Sequence, residues 1–317
     1  MITLMYSNFA VDAGHVRRLE ALAGAGNVAV ADSEANALAH APSTRIVFGH
    51  RYLRQLLAHA PELRWVQTTA GGYDQLPWRE LAARGIVLSR NTANSEAIAQ
   101  HAVALAWAVL RRIPSAVQSQ HEGRWATPFA MLPLPRTALV LGLGAIGTHI
   151  ARLLRGLGLH VRGTAHSGSQ VQRQACDEYI DGAGWHDVLG ATDLLVLALP
   201  LDATTRGCIG ARELAALPPH AVVVNVARDA IIDRPALLDA LRGARLGGAA
   251  LDVLDPVPAQ DDPLWTTPNL LITPKVAAYH AQMREKFEAF AEAQLQRHLG
   301  GAPLEAVVDL ARASSNQ

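Results

Sequence analysis

Thr137-Ala-Leu-Val-Leu-Gly142-Leu-Gly144-Ala-Ile-Gly147 decides the fold of this 317-residue chain. Five residues of strand character run into three glycines spaced Gly-x-Gly-x-x-Gly, and a helical pattern follows over 145–157. Each glycine has its own task in such a turn. Gly142 takes the chain sharply out of the strand, Gly144 lets the backbone approach a diphosphate with no Cβ between, and Gly147 lets the helix lie close on the sheet. The helix N-terminus offers free N–H groups and a positive dipole end to an anion. The glycine spacing alone is a weak signal. With a strand before it and a helix behind it, the expected function is dinucleotide binding.

C-terminal to this motif, apolar runs at 160–164, 193–199, 221–226, 248–251 and 270–272 read as strands buried on both faces. Polar residues gather just past their ends, the edge of an open parallel sheet where ligands bind. N-terminal to it, strands are expected at 2–6, 45–48, 63–68 and 86–89, alternating with helices at 11–23, 52–59 and 76–84. Asn94 and Ser95 cap a long apolar helix over 96–112, stopped by Pro114 and read as a connector between two domains. The segment 121–135 reads as irregular, with Trp125, Phe129 and Met131 in it, and Trp125 and Phe129 are expected as core or dimer packing. A last amphipathic helix, 282–299, is expected to return to the first domain.

Length and composition fit this plan. The chain is long enough for two domains, each with its own core. Lys+Arg and Asp+Glu balance at 28 each, so neither nucleic acid nor an anionic membrane is an expected partner. Cys176 and Cys208 are the only cysteines and have no metal-binding spacing, so no metal is expected. No apolar stretch reaches membrane-spanning length, and the N-terminus lacks a basic region followed by an apolar run. A cytoplasmic protein is expected.

An acidic residue about twenty positions past the first glycine would hold the ribose hydroxyls of NAD. No Asp or Glu occurs between Gly142 and Cys176. The second strand runs instead into Thr164-Ala-His166-Ser167-Gly. A hydroxyl and an imidazole suit a 2′-phosphate better than a carboxylate would, with Arg162 nearby. NADP(H) is therefore favoured over NAD(H).

Four stretches together resemble the D-isomer-specific 2-hydroxyacid dehydrogenase family, which includes glyoxylate/hydroxypyruvate reductases. They are Leu141-Gly-Leu-Gly-Ala-Ile-Gly147, Leu199-Pro-Leu-Asp-Ala-Thr-Thr-Arg-Gly207, Val224-Asn-Val-Ala-Arg228 and Gly248-Ala-Ala-Leu-Asp-Val-Leu254. Thr69-Ala-Gly-Gly-Tyr-Asp74 extends the likeness into the first domain. The resemblance implies α/β architecture: two Rossmann-like, doubly wound parallel-sheet domains with a cleft between them. The substrate domain would be discontinuous, 1–98 with 285–317, around a dinucleotide-binding domain at 99–284. A homodimer and a small carboxylate substrate are implied too. Cofactor contacts carry over to Gly142, Gly144, Ala145, Ile146, Gly147, His166, Ser167, Leu199, Pro200, Thr205, Val226, Ala227, Arg228 and Asp252. Substrate contacts carry over to Ala70, Gly71, Gly72, Arg228 and Lys275, with Arg51, after a strand end, as a further carboxylate ligand.

Chemistry in that family rests on an Arg, a Glu and a His. Arg228 stands at the Arg position. Val257 stands where the Glu belongs, Lys275 where the His belongs, and Asp229 replaces the Gly that usually follows the Arg. The two catalytic changes fit each other. A Glu that tunes a His has no task once the His is gone, and a lysine enters the reaction already carrying a proton. Lys275 is expected in the cleft beside Arg228, partly buried. His280 and Asp255 are further candidates for acid or base, Asp255 being first of all a surface residue, and His101 reads as a buried imidazole of the apolar helix. Three readings stay open: a reductase or dehydrogenase of 2-oxo/2-hydroxy acids, an enzyme with the same cofactor acting on an imine or another carbonyl, and a nucleotide-binding protein without hydride transfer.

Overall fold

The computed structural model describes residues 1–125 and 130–311, and Phe129 lies outside the described residues. The chain divides into two compact units, Met1–Asn94 with His280–Gln317, and Ser95–Tyr279.

The first unit carries β1 (Ile2–Met5), β2 (Val28–Val30), β3 (Ile46–Gly49), β4 (Trp65–Gln67) and β5 (Val87–Ser89), all parallel, in the order β2-β1-β3-β4-β5. Side chains alternate across the sheet, as the period of two demands. Met5, Val47, Val66 and Leu88 pack on one face against Leu53, Leu56, Trp78 and Leu81 of short helices. Leu4, Phe48 and Trp65 pack on the other against Leu19 and against Phe287, Ala291 and Leu295 of the final helix, Met283–Leu299. That helix therefore returns to the N-terminal sheet, as its pattern suggested.

The second unit carries β6 (Thr137–Leu141), β7 (His160–Thr164), β8 (Glu178–Ile180), β9 (Leu194–Leu197), β10 (Val222–Asn225), β11 (Gly248–Leu251) and β12 (Leu270–Ile272). They form one parallel sheet, β12-β11-β10-β9-β6-β7-β8. Ala138 and Val140 face the helices Ser95–Leu110 and Ala145–Gly156, while Leu139 and Leu141 face the opposite core. Both faces being covered explains why these strands read as unbroken apolar runs. The chain builds β6, β7 and β8 toward one edge, then crosses to β9, so the order reverses between β6 and β9. In a doubly wound sheet that reversal opens the ligand crevice.

Two short strands and five helices, Glu34–His40, Ile113–His121, Gln170–Ala175, Ala211–Ala216 and Arg234–Arg242, escape the sequence pattern. Strands Val28–Val30 and Glu178–Ile180 are edge strands of only three residues, partly exposed. Helix Glu34–His40 buries only Ala37. Pro114, expected to stop the long helix, sits instead in the first turn of the next one, Ile113–His121. Arg112, at φ 54°, supplies the break. The long helix Ser95–Leu110 belongs to the second unit, where Ala102, Leu105, Ala106 and Val109 bury against its sheet. Among the described residues no helix is long and apolar enough to cross a membrane.

Candidate cofactor and substrate site

The glycine turn sits at the reversal point. Its first amides, those of Gly142 and Leu143, both bond the carbonyl of Thr164 at the end of β7, at 3.1 and 2.7 Å. Gly142 has φ +98°, and a Cβ there would stand 2.6 Å from the Leu199 nitrogen on the neighbouring strand end. A Cβ on Gly147 would stand 1.9 Å from the Gly142 carbonyl oxygen. Gly144 differs from both: a Cβ there meets nothing within 4 Å. Gly144 and Ala145 are exposed, Ile146 is half-buried, and no side chain caps the helix that begins here. The bare backbone at Gly144 therefore answers to no packing need of the chain. It leaves room, at an uncapped helix N-terminus, for a diphosphate. The residues present fit a dinucleotide.

The other cofactor candidates line the same edge. Leu199 and Pro200 open the loop after β9, where the Thr205 hydroxyl donates to the Pro200 carbonyl at 2.7 Å and the Asp202 carboxylate accepts from the amides of Thr204 and Thr205. Thr205 thus shapes this loop through its own side chain. Beyond β7, His166 and Ser167 are exposed, and the Ser167 hydroxyl donates to Gln172 at 2.8 Å. Arg162 pairs with Glu178, its register partner on β8, at 2.8 Å, so it is engaged within the sheet. The cation at this loop is Arg173. Its Nε donates to the Gly168 carbonyl at 2.9 Å, its guanidinium lies 4.2 Å from the centre of the Tyr179 ring, and Asp181 is 3.4 Å away. The sequence reading missed it because it belongs to the next helix, Gln170–Ala175, which folds back over the loop.

Arg228, Asp252 and Lys275 leave the C-terminal ends of three neighbouring strands, β10, β11 and β12. Val226 and Ala227 are buried, and Arg228 is half-buried with an extended backbone. The fully buried Asn225 fixes it: its side-chain amide donates to the Arg228 carbonyl at 2.8 Å, and its oxygen accepts from the Ala227 amide at 2.9 Å. Arg228 Nη1 donates to the Ala227 carbonyl at 2.7 Å. Asp229, which replaces the expected glycine, pairs with Arg234 at 2.5 Å and so ties the following turn to helix Arg234–Arg242.

Asp252 is 3 % exposed and holds the turn that presents Lys275. One carboxylate oxygen accepts from the Thr273 hydroxyl at 2.6 Å and the Val276 amide at 3.0 Å, the other from the Ala277 amide at 3.1 Å. His101 Nε2 lies 3.4 Å from the first oxygen and 3.2 Å from the Thr273 hydroxyl. Burial alone would raise the Asp252 pKa. The bonds from His101, Thr273 and the two amides outweigh it and hold the carboxyl below its ordinary value. Lys275 sits at the tip of this turn with φ 55°, its amide bonded to the Thr273 carbonyl. Its side chain is exposed, not partly buried as expected, because Asp252 draws both flanks of the turn inward and leaves the tip outside. Among the described residues Lys275 makes no ion pair. Val257 is 75 % exposed, and Asp255 is exposed as well. His101 is no idle core imidazole, since it helps hold Asp252.

In the first unit, β4 runs into Thr68–Gly72. The amides of Gly71 and Gly72 have no hydrogen-bond partner among the described residues. The Ala70 amide donates to the Thr68 hydroxyl at 3.0 Å, and Thr68 in turn meets His50 Nδ1 at 2.8 Å. Burial holds the His50 pKa below its usual value. Arg51 is exposed, 5.3 Å from the centre of the Tyr52 ring. His280 belongs to this unit, where its Nε2 meets Asn94 Oδ1 at 2.9 Å.

Sequence comparison meets this geometry in the second unit: the profile of the D-isomer specific 2-hydroxyacid dehydrogenase NAD binding domain matches residues 103–277. The chain belongs to the D-isomer specific 2-hydroxyacid dehydrogenase family. It is 30% identical over 244 residues to a glyoxylate reductase of Thermococcus litoralis, covering 73% of this chain and 72% of that one. It is 32% identical over 235 residues to a D-3-phosphoglycerate dehydrogenase of Mycobacterium bovis, again over 73% of this chain, but it spans only 44% of that relative's length. Among solved structures, the NADPH-dependent glyoxylate/hydroxypyruvate reductase of Sinorhizobium meliloti, in complex with NADP and malonate, superposes with a TM-score of 0.76 at 27% identity, covering 98% of this chain and 96% of that one. An acyclic imino acid reductase in complex with NADPH and D-Arg reaches 0.80 at 23% identity, over 97% of this chain and 100% of that one, a likeness of fold alone. The two parallel-sheet α/β units are those of the family's structures.

Proposed function

We propose that this family member moves a hydride between a nicotinamide cofactor and a small 2-oxo/2-hydroxy acid, with Lys275 delivering the proton where the family has a histidine. The observation that carries the reading is the Asp252 clamp: a buried carboxylate locks a left-handed turn whose exposed tip is a lysine with no ion pair among the described residues. Backbone strain of this kind persists only where its surroundings enforce it. The first unit serves as substrate domain and the second as dinucleotide domain. The Gly142–Gly147 turn would hold the diphosphate of the dinucleotide, whose reduced nicotinamide would supply the hydride. Arg228, oriented by Asn225, draws electron density onto the carbonyl oxygen. The amides of Gly71 and Gly72 hold the carboxylate, with Arg51 at the edge of the same loop cluster. The Lys275 ammonium gives its proton to the developing alkoxide and takes it back in the oxidative direction. Val257 has no imidazole to tune, so a carboxylate there has no task.

NADP(H) is the favoured cofactor. The loop directly after β7, residues 165–169, carries no carboxylate, while Arg173 is anchored beside His166 and Ser167. A homodimer is supported by exposed apolar side chains on one stretch, Ile113, Val117, Trp125, Met131 and Leu134. Two free thiols fit a reducing, cytoplasmic setting.

The test is turnover of NADPH with glyoxylate, hydroxypyruvate, pyruvate and phenylpyruvate. Lys275→Ala should lower kcat by about 10²–10⁴ with little change in KM, the span typical of a lost general acid. Unchanged kcat in that variant, with loss in His280→Ala, would move the proton donor to His280. Turnover of imines but of no oxo acid would change the reaction class, and tight NADPH binding without any turnover would remove catalysis.

A further inference from the structure

Arg90 stands just past β5, and nothing above uses it. Its Nε is sealed from solvent and has no hydrogen-bond partner among the described residues. Among the described residues its guanidinium enters no ion pair. Burial lowers its pKa, against a smaller opposite effect of the Tyr73 phenol. An orphaned buried donor is a cost the fold rarely tolerates without a use, and a planar guanidinium fork matches the paired oxygens of an anion such as a carboxylate or a phosphate.

The placement supplies the use. β3, β4 and β5 are neighbours, and their C-terminal ends bring His50 and Arg51, the loop Thr68–Gly72, and Arg90 with Asn91 to one edge. Arg90 is fixed beside the glycine loop. The Thr68 amide donates to the Ser89 carbonyl at 3.0 Å, the Asn91 amide to the Ala70 carbonyl at 3.0 Å, and the Asn91 side chain to the Thr69 carbonyl at 2.9 Å. On its other side the Arg90 amide bonds Ala306. The edge is thus rich in donors.

We propose that Arg90 binds a second anionic group of the substrate, so that the site prefers 2-oxo acids with a distal carboxylate over monocarboxylic ones. The proposal rests on the reading that Gly71 and Gly72 hold the reacting carboxylate. Those amides already supply donors to that group. Arg90 lies one strand further along, about 5 Å across the sheet, roughly the span of a short carbon chain.

The experiment uses the whole protein with Arg90→Met, which keeps the apolar stem and removes both charge and orphaned donor, and with Arg90→Lys. Calorimetry compares succinate with propionate, neither of which can react. Kinetics compare 2-oxoglutarate with 2-oxobutyrate. The wild type should bind succinate more tightly than propionate. Arg90→Met should lose about 10- to 100-fold in succinate affinity and in the kcat/KM ratio of diacid to monoacid, the range for one hydrogen-bonded charge. Propionate should bind as before, Arg90→Lys should recover part of the loss, and the melting temperature of Arg90→Met should be no lower than that of the wild type. Equal losses on diacid and monoacid, a lowered melting temperature, or no succinate preference in the wild type would overturn the proposal. The two readings can fail separately. Arg90-dependent succinate binding without any oxo-acid turnover removes hydride transfer and keeps Arg90. Lys275-dependent turnover with an unchanged diacid-to-monoacid ratio does the reverse.

Discussion

Gly144→Ala and Gly147→Ala, three residues apart in one turn, should separate cofactor binding from folding. A Cβ on Gly147 would stand 1.9 Å from the Gly142 carbonyl oxygen. An ordinary C···O contact is about 3.3 Å, so the helix would have to retreat by about 1.4 Å. Overpacking of that kind costs about 3 kcal/mol, which for a unit of this size lowers the melting temperature by roughly 6–12 °C. A Cβ on Gly144 meets nothing within 4 Å, and its φ of −74° suits any residue. Its effect on the free protein should stay within about 0.5 kcal/mol. The same methyl stands where the diphosphate must approach. If it costs about 2 kcal/mol there, the Kd for NADPH rises about 30-fold. At a cofactor concentration 100 times the wild-type Kd, binding stabilises the wild type by about 2.7 kcal/mol and the variant by about 0.9 kcal/mol. Thermal melts with and without NADPH measure both quantities. The reasoning fails if Gly144→Ala melts as low as Gly147→Ala without cofactor, or if NADPH raises its melting temperature as much as in the wild type.

Asp252→Asn should lower the melting temperature by a few degrees and kcat more than KM, because the turn carrying Lys275 loses its charged acceptor while keeping its shape; a variant that melts low but turns over normally would refute the positioning role. The folded-state pKa of Asp252 is depressed, so its contribution to stability is complete above the unfolded value of about 4 and is lost as pH falls through the lower folded value. Melting curves of the wild type should therefore fall more steeply below about pH 4 than those of Asp252→Asn. Arg173→Gln should raise KM for NADPH and leave KM for NADH nearly unchanged; equal effects on both would take Arg173 away from the 2′-phosphate.

Much of the fold follows from local chemistry alone. Unbroken apolar strands imply a sheet covered on both sides, and the period of two in residues 138–141 assigns alternate side chains to opposite cores. The glycine turn is legible because its requirements are steric and lie within six residues. What only tertiary structure decides is which polar groups meet. Asp252 joins Thr273, Val276 and Ala277 through the pairing of β11 with β12, and His101 reaches them from a helix far away in sequence. No spacing rule connects those positions. The exposure of Lys275 follows from that clamp, the anchoring of Arg173 from a helix folding back over its loop, and the unmet Nε of Arg90 from three strand ends converging. A sequence records which groups a chain carries and how its backbone must alternate. Hydrogen bonding and burial depend on distances across the sheet, and those exist only once the strands have taken their order.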